Sequence, residues 1–258
     1  MNEAERHAAQ AEIFWRLHEG LPKQGPGSDA TTRRALELAA PIAAEPVVLD
    51  LGCGPGRQTL VLANDLGGHV TAMDLLPPFV EQLEARGEAA GLSERITTKI
   101  ASMGDISPAD HPDGSVDLIW SEGAIYNIGF DAGLAHWRRL LAPGGRVGVS
   151  EVSWLTDDPP ERVRSFWEAH YPAIRSREEN EHAIRASGYR LLGKLVVPED
   201  EWWTDYYSLI EGRLDSLREE RDDPDWQKMI ALVDEELEIV RIGLTSFGYV
   251  FYLMEREE

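Results

Sequence analysis

The chain has a single cysteine, Cys53, among 258 residues. One thiol rules out an intrachain disulfide framework and a multi-thiolate metal site together. No apolar run approaches the roughly 18 residues that a membrane span needs. The opening MNEAERHAAQAEIFWRLHEG lacks a basic stretch leading into an apolar core, so it does not read as a secretory signal. Basic residues are scarce, with 25 Lys and Arg against 46 Asp and Glu, for a formal charge of −21. Such a surface repels phosphate backbones and anionic headgroups, which disfavours nucleic-acid and membrane partners. The seven histidines are scattered, with no H-x-x-x-H pair or carboxylate–histidine cluster, so no metal is expected. A cytoplasmic protein is the expectation. Internal repeats and long linkers are missing as well. At 43% hydrophobic residues, the chain is rich enough to bury a sizeable core.

What is there is rhythm. VVLDL ahead of Gly52 reads as a buried strand, RQTLVLANDL (57–66) as a helix stopped by Gly67-Gly68, and HVTAMD (69–74) as the next strand. PPFVEQLEARGEAAG (77–91) starts with proline at a helix's first turn. RITTKI (95–100), VDLIW (116–120) and GRVGVSEV (145–152) read as strands, with a helix over 131–141 that ends at the turn Ala142-Pro143-Gly144-Gly145. Strand–helix alternation at this spacing predicts an α/β fold, a parallel sheet covered by helices on both faces. Past Glu151 come helices over 158–170 and 177–187, a strand over 190–198, helices over 201–220 and 224–242, and a last strand in SFGYVFYLMER. Trp226, Met229, Ile230, Val233, Leu237 and Val240 mark one apolar face of the final helix, with Asp223 as its cap. Residues 199–238 hold fifteen acids and four bases, which reads first as a solvated face and second as a candidate partner or homodimer contact.

The chemistry concentrates in Val48-Leu-Asp-Leu-Gly-Cys-Gly-Pro-Gly-Arg57. Glycines at 52, 54 and 56 let a strand turn tightly into a helix and let backbone approach a ligand. The helix start offers free N–H groups at the same place. Asp74 closes the next strand, where a carboxylate can accept both hydroxyls of a ribose. A dinucleotide fingerprint, G-x-G-x-x-G, would need its third glycine at position 57, which is Arg. That weakens the alternative of an NAD-dependent oxidoreductase.

With Asp50 two residues ahead of G-x-G-x-G, the segment resembles the first motif of class I S-adenosylmethionine-dependent methyltransferases. Further matches follow in order: Asp74, Ser102-Met103-Gly104-Asp105, DGSVDLIWSEGAIYNI (113–128) and LLAPGGRVGVSE (140–151). The middle region is most similar to the small-molecule, ubiquinone-biosynthesis-like (type 11) branch, and WSEGAIYNIGF resembles a stretch of uncharacterised bacterial methyltransferases. DISPADHP (105–112) departs from the family's usual G-D-A followed by L-P-F, which leaves two alignments of the adenine turn open.

The resemblance implies a Rossmann-like seven-stranded sheet with an antiparallel last strand, an N-terminal helical lid (1–44), a cofactor-binding core (45–155) and substrate-side helices and final strands (156–258), all one domain. It implies S-adenosylmethionine as cofactor, S-adenosylhomocysteine as product and a small-molecule acceptor. Cofactor contacts are expected from Gly27, Asp50, Gly52, Cys53, Gly54, Gly56, Asp74, Leu75, Ser102, Met103, Ser121 and Glu122. Glu122 is expected to hold the amino group of the methionine moiety or to act as a base, with Tyr126 the other catalytic candidate. Tyr126, Asn127, Tyr206 and Tyr207 are the expected substrate side. On a regular helix Trp202–Tyr206 and Trp203–Tyr207 would form i,i+4 aromatic pairs. A non-catalytic nucleoside-binding protein is the remaining alternative.

Overall fold

A computed structural model describes residues 12–258. The first part of the expected lid, residues 1–11, lies outside the described residues. Residues 12–18 are helical (α1), and α2 (Asp29–Ala39) follows with Ser28 as its cap, the Ser28 hydroxyl accepting from the Thr31 N–H. The alternating half then runs β1 (Val47–Leu51), α3 (Arg57–Asp65), β2 (His69–Asp74), α4 (Pro77–Ala89), β3 (Ile96–Ile100), β4 (Val116–Glu122), α5 (Phe130–Trp137) and β5 (Leu141–Trp154). The second half runs α6 (Glu161–His170), β6 (Arg175–Ser176), α7 (Arg177–Ala186), β7 (Tyr189–Val196), α8 (Glu199–Trp202), a π-helical turn (Trp203–Tyr207), α9 (Ser208–Arg218), α10 (Pro224–Gly243) and β8 (Phe247–Arg256).

The sheet order is β3-β2-β1-β4-β5-β8-β7, with the two-residue β6 paired to β5 as an eighth strand. β1 through β5 pair in parallel. β8 runs antiparallel between β5 and β7. The expected antiparallel last strand and helical insert before it are both present. Strand alternation divides the core in two. Val48, Trp120 and Phe251 face α1–α3 and α9–α10, and their neighbours Leu49, Ile119 and Tyr252 face α5 and α7. Trp226, Ile230, Leu237 and Val240 are buried as the helical spacing predicts.

Two local readings differ. The helix after β4 stops at Trp137, and Ala142–Gly145 is no hinge between helix and strand. Val116 pairs with Leu141 and Leu118 with Arg146, so the Pro-Gly-Gly segment bulges out inside β5. Helix 201–220 is interrupted over 203–207 by the π turn; the expected Trp203–Tyr207 pair is present, with centroids 6.0 Å apart and 55° between planes, but Trp202 does not meet Tyr206. Trp202 stacks on Tyr207 instead, with ring centroids 6.0 Å apart and 10° between planes. In a π turn, residues five apart come into line.

The order reverses between β1 and β4, where the chain leaves for opposite edges. The carboxyl ends of strands at such a reversal leave a crevice that adjoining loops do not fill.

Candidate functional site

That crevice holds a cavity of about 560 Å³. One wall is the glycine turn: Gly52, Cys53, Gly54 and Pro55. The Gly52 and Cys53 amides donate to the Met73 carbonyl at 2.8 and 2.9 Å, which ties the turn to the end of β2. Gly52 has φ +75°, and a Cβ there would sit 2.4 Å from the Ala124 Cβ, so no larger residue fits. Asp74 stands beside the turn. Its Oδ2 accepts from the Gly54 N–H at 2.8 Å and its Oδ1 from the Leu76 N–H at 2.9 Å. These two bonds orient the carboxylate and leave a lone pair on each oxygen for a ligand.

Leu75, Ser102, Met103, Glu122, Tyr126 and Asn127 also line the cavity. With Gly52, Cys53, Gly54 and Asp74, ten of the residues singled out from sequence therefore meet on one surface. The others lie elsewhere. Asp50 is wholly buried behind the turn, where Thr59 donates to it at 2.5 Å; burial raises its pKa to about 7, against those hydrogen bonds. The Ser121 hydroxyl donates to the Leu51 carbonyl at 2.7 Å, inside the sheet. Gly56 caps α3 and packs on Leu83. Gly27 offers its carbonyl to Arg57 at 3.2 Å. Tyr206 and Tyr207 belong to the core: Tyr206 bonds His18 Nε2 at 2.7 Å, and Tyr207 donates to Glu236 at 2.6 Å. None of these six lines the cavity.

Glu122 needs a further correction. Its expected cationic partner is a ligand amine, but the chain supplies one itself, because Lys23 Nζ is ion-paired with Glu122 Oε2. The other oxygen accepts from Thr32 Oγ1 at 2.8 Å and Trp120 Nε1 at 2.7 Å. With its side chain 1% exposed, this carboxylate is compensated on every side. Lys23 was not singled out from sequence, and neither was Gln24 as a site residue. Both line the cavity, and Gln24 Nε2 is a buried donor with no partner among the described residues. An unpaired buried amide costs about 1–3 kcal/mol, and this one borders the cavity. The sequence clue was only the adjacent Gly25-Pro26-Gly27 loop.

That loop is strapped down from three directions. Arg86 donates to the carbonyls of Leu21 at 2.9 Å and Pro55 at 2.8 Å. Glu201 accepts from the Ser28 amide and from the Ser28 and Thr31 hydroxyls at 2.7–2.8 Å. Arg57, in the place of the third dinucleotide glycine, bridges Asp29 and Asp205, each at 2.7 Å. Segments from three parts of the chain thereby close over the glycine turn. No group of three metal-ligating side chains occurs among the described residues, and no helix among them is long and apolar enough to cross a membrane.

A sheet of this order with a glycine turn and an acid at the next strand's end defines a Rossmann-like α/β fold. Residues 48–145 match the family model described as a methyltransferase domain. The chain is similar to a 2-methyl-6-phytyl-1,4-hydroquinone methyltransferase of Synechocystis sp., 32% identical over 122 residues that make up 47% of this chain and 36% of that protein. It is likewise similar to a dimethylglycine N-methyltransferase of Parasynechococcus marenigrum, 36% identical over 119 residues, 46% of this chain and 41% of that one. The chain spans less than two thirds of the length of the curated relatives it matches. Among solved structures it shares its fold with a SAM-dependent methyltransferase from Thiobacillus denitrificans in complex with S-adenosyl-L-homocysteine, with a TM-score of 0.79 and 22% identity, covering 95% of this chain and 98% of that one. Residues 48–145 thus match a methyltransferase domain, and the solved structure shows the shared fold over nearly the whole chain. Neither the dinucleotide nor the non-catalytic alternative finds support among these matches.

Proposed function

We propose that the chain transfers the methyl group of S-adenosylmethionine to a small-molecule acceptor. The observation that carries this reading is one cavity with Asp74 on one side of the glycine turn and, on the other, the unpartnered donor Gln24 Nε2 beside the ammonium of Lys23, which is paired with Glu122. A nucleoside with an amino-acid tail fits that pattern: ribose hydroxyls to Asp74, and the tail's carboxylate to Lys23 and Gln24. Leu75, Ser102 and Met103 flank the adenine in this reading. Cys53 is a small wall residue, since burial pushes its thiol well above the ordinary range and denies it a nucleophile's charge. Asp50, Gly56, Ser121 and Gly27 support the turn and the strap without touching the ligand.

The bound sulfonium supplies an activated methyl group. What remains for the protein is to exclude water and to hold the acceptor in line with the carbon–sulfur bond. The strap over residues 20–28, locked by Arg86, Arg57 and Glu201, supports the first task, and the wall of Gly123, Tyr126 and Tyr249 the second.

The same proposal takes residues 1–258 as one domain, with lid, core and substrate-side parts as bounded above. It includes a small-molecule rather than nucleic-acid acceptor, given the −21 charge, a cytoplasmic setting, and a homodimer through the acidic C-terminal helices. Sedimentation at two concentrations tests the dimer, and cell fractionation tests the setting.

Thermal unfolding with S-adenosylhomocysteine, and with NAD as control, tests the central claim. At 100 times its dissociation constant a ligand stabilises by about 2.7 kcal/mol, a shift of roughly 5–10 °C for a chain of this size. A shift with S-adenosylhomocysteine alone is expected. An equal response to NAD, or none to either at millimolar ligand, would overturn the assignment.

A further inference from the structure

Past Gly123 the cavity wall changes character. Tyr126 lies on the 3-10 turn Ile125–Asn127 that follows β4, and Tyr249 lies on β8; both line the cavity. The Tyr126 ring meets Tyr171 edge-on, with centroids 6.0 Å apart and 70° between planes. The Tyr171 hydroxyl donates to Glu151 Oε1 at 2.7 Å. Glu151 is 2% exposed, and its Oε2 has no partner among the described residues. Among the described residues no cation forms an ion pair with this carboxylate. Arg175 gives both arms to Asp131, at 2.7 and 2.9 Å, and Lys23 belongs to Glu122. Among the described residues, a buried oxygen without a partner on a carboxylate without an ion pair thus stands behind a tyrosine wall.

We propose that this end of the cavity receives an amine in its neutral form as the methyl acceptor, and that the nitrogen cation formed by the transfer is held against Tyr126 and Tyr249 with Glu151 behind them as the compensating charge. The inference rests on the methyl-transfer reading and narrows its acceptor. In the transfer, the nitrogen lone pair forms the new N–CH3 bond and the carbon–sulfur pair leaves onto sulfur, giving the neutral sulfide. Positive charge therefore moves from sulfur to nitrogen. Aromatic faces attract a cation, and a preplaced carboxylate favours the state in which the charge has moved. An anionic acceptor would meet Glu151 as a like charge. An alcohol or phenol would need a base in contact with its proton, whereas Glu151 does not line the cavity and acts through the tyrosines, as a positioning residue.

The ionisation of Glu151 supplies a readout that a structural role would not move. Burial raises its pKa to about 7, against the hydrogen bond from Tyr171 and the charge of Arg175. Tyr126, Tyr249 and Tyr252 complete the titratable groups that face it. A bound cation favours the carboxylate, so cation affinity rises with pH through that value.

The test is calorimetric titration of tetramethylammonium chloride into the protein, free and saturated with S-adenosylhomocysteine, at pH 6 and 8 and constant ionic strength. tert-Butanol and acetate serve as neutral and anionic probes. Tetramethylammonium is expected to bind in preference to both, several-fold more tightly at pH 8. Glu151→Gln is expected to weaken it at least fivefold and to flatten the pH dependence, and Tyr171→Phe, which leaves the carboxylate in place, to retain it. Equal binding of tert-butanol, or unaltered affinity and pH profile in Glu151→Gln, would overturn the proposal. Failure of S-adenosylhomocysteine to bind would instead strike the methyl-transfer reading, while the titration of the free protein still decides on the amine site.

Discussion

Gly56→Ala separates a glycine needed for packing from one needed for a ligand. Gly56 has φ +87°, and a methyl group there would lie 2.2 Å from Leu83 Cδ1, 2.9 Å from Cγ and 3.0 Å from Cβ. Leu83 is fully buried in a small cluster with Cys53 and Ala72, so it has no room to retreat. Left-handed backbone costs an alanine about 1–2 kcal/mol, and overpacking of this kind costs about 1–3 kcal/mol. Together they predict a loss of about 2–5 kcal/mol. At 2–4 °C per kcal/mol for chains of this size, the midpoint falls by roughly 4–20 °C. The assay is thermal and urea unfolding of the single variants and of Gly56→Ala/Leu83→Ala. Leu83→Ala alone costs about 2–5 kcal/mol, but it opens the space the new methyl needs. The double variant should therefore be about 1–3 kcal/mol more stable than additivity allows. The folded fraction of Gly56→Ala should bind S-adenosylhomocysteine with parental affinity. A loss below about 0.5 kcal/mol, or strict additivity, would refute the packing argument.

Asp74→Ala should weaken S-adenosylhomocysteine at least tenfold while circular dichroism stays parental, since the side chain is only half-buried; unchanged affinity in a titration would remove its role. Gln24→Ala should lower the same affinity several-fold and leave thermal stability of the free protein equal or higher, because it deletes an orphaned donor. Glu151 holds a proton in the folded state that the unfolded chain has released between about pH 4.5 and 7. Stability therefore falls as pH rises through that window, by up to about 3 kcal/mol. Glu151→Gln should be stabilised relative to the parent at pH 8 and much less so at pH 5, as urea midpoints would show. His18 is the opposite case: burial lowers its pKa to about 4, so the unfolded chain gains a proton first as pH drops below 6.5. Stability is then lost between about pH 6.5 and 4, and His18→Gln should flatten that limb of the curve.

The sequence by itself determined everything that depends on neighbours along the chain. VVLDLGCGPGR could be read as strand, turn and helix because burial, backbone freedom and capping act within a few residues. The apolar face of α10 and its Asp223 cap were legible for the same reason, as was Asp74 at the end of β2. The seven long strands, the last of them antiparallel, followed from the rhythm and the resemblance. Tertiary structure alone decided which side chains meet. Lys23 pairs with Glu122 across 99 positions and Tyr206 with His18 across 188. The π turn that brings Trp202 onto Tyr207 reflects packing of the insert against β8, where Trp202 also meets Phe247 and Tyr249. Gly56 and Gly52 look alike in sequence; one faces Leu83 and the other the cavity. Likewise, nothing near Glu151 in the chain shows that its partner is Tyr171 or that one of its oxygens has none. Local propensity sets the elements, but charge compensation and cavity walls arise only when distant segments are brought within a few ångströms, and a one-dimensional pattern carries no such distances.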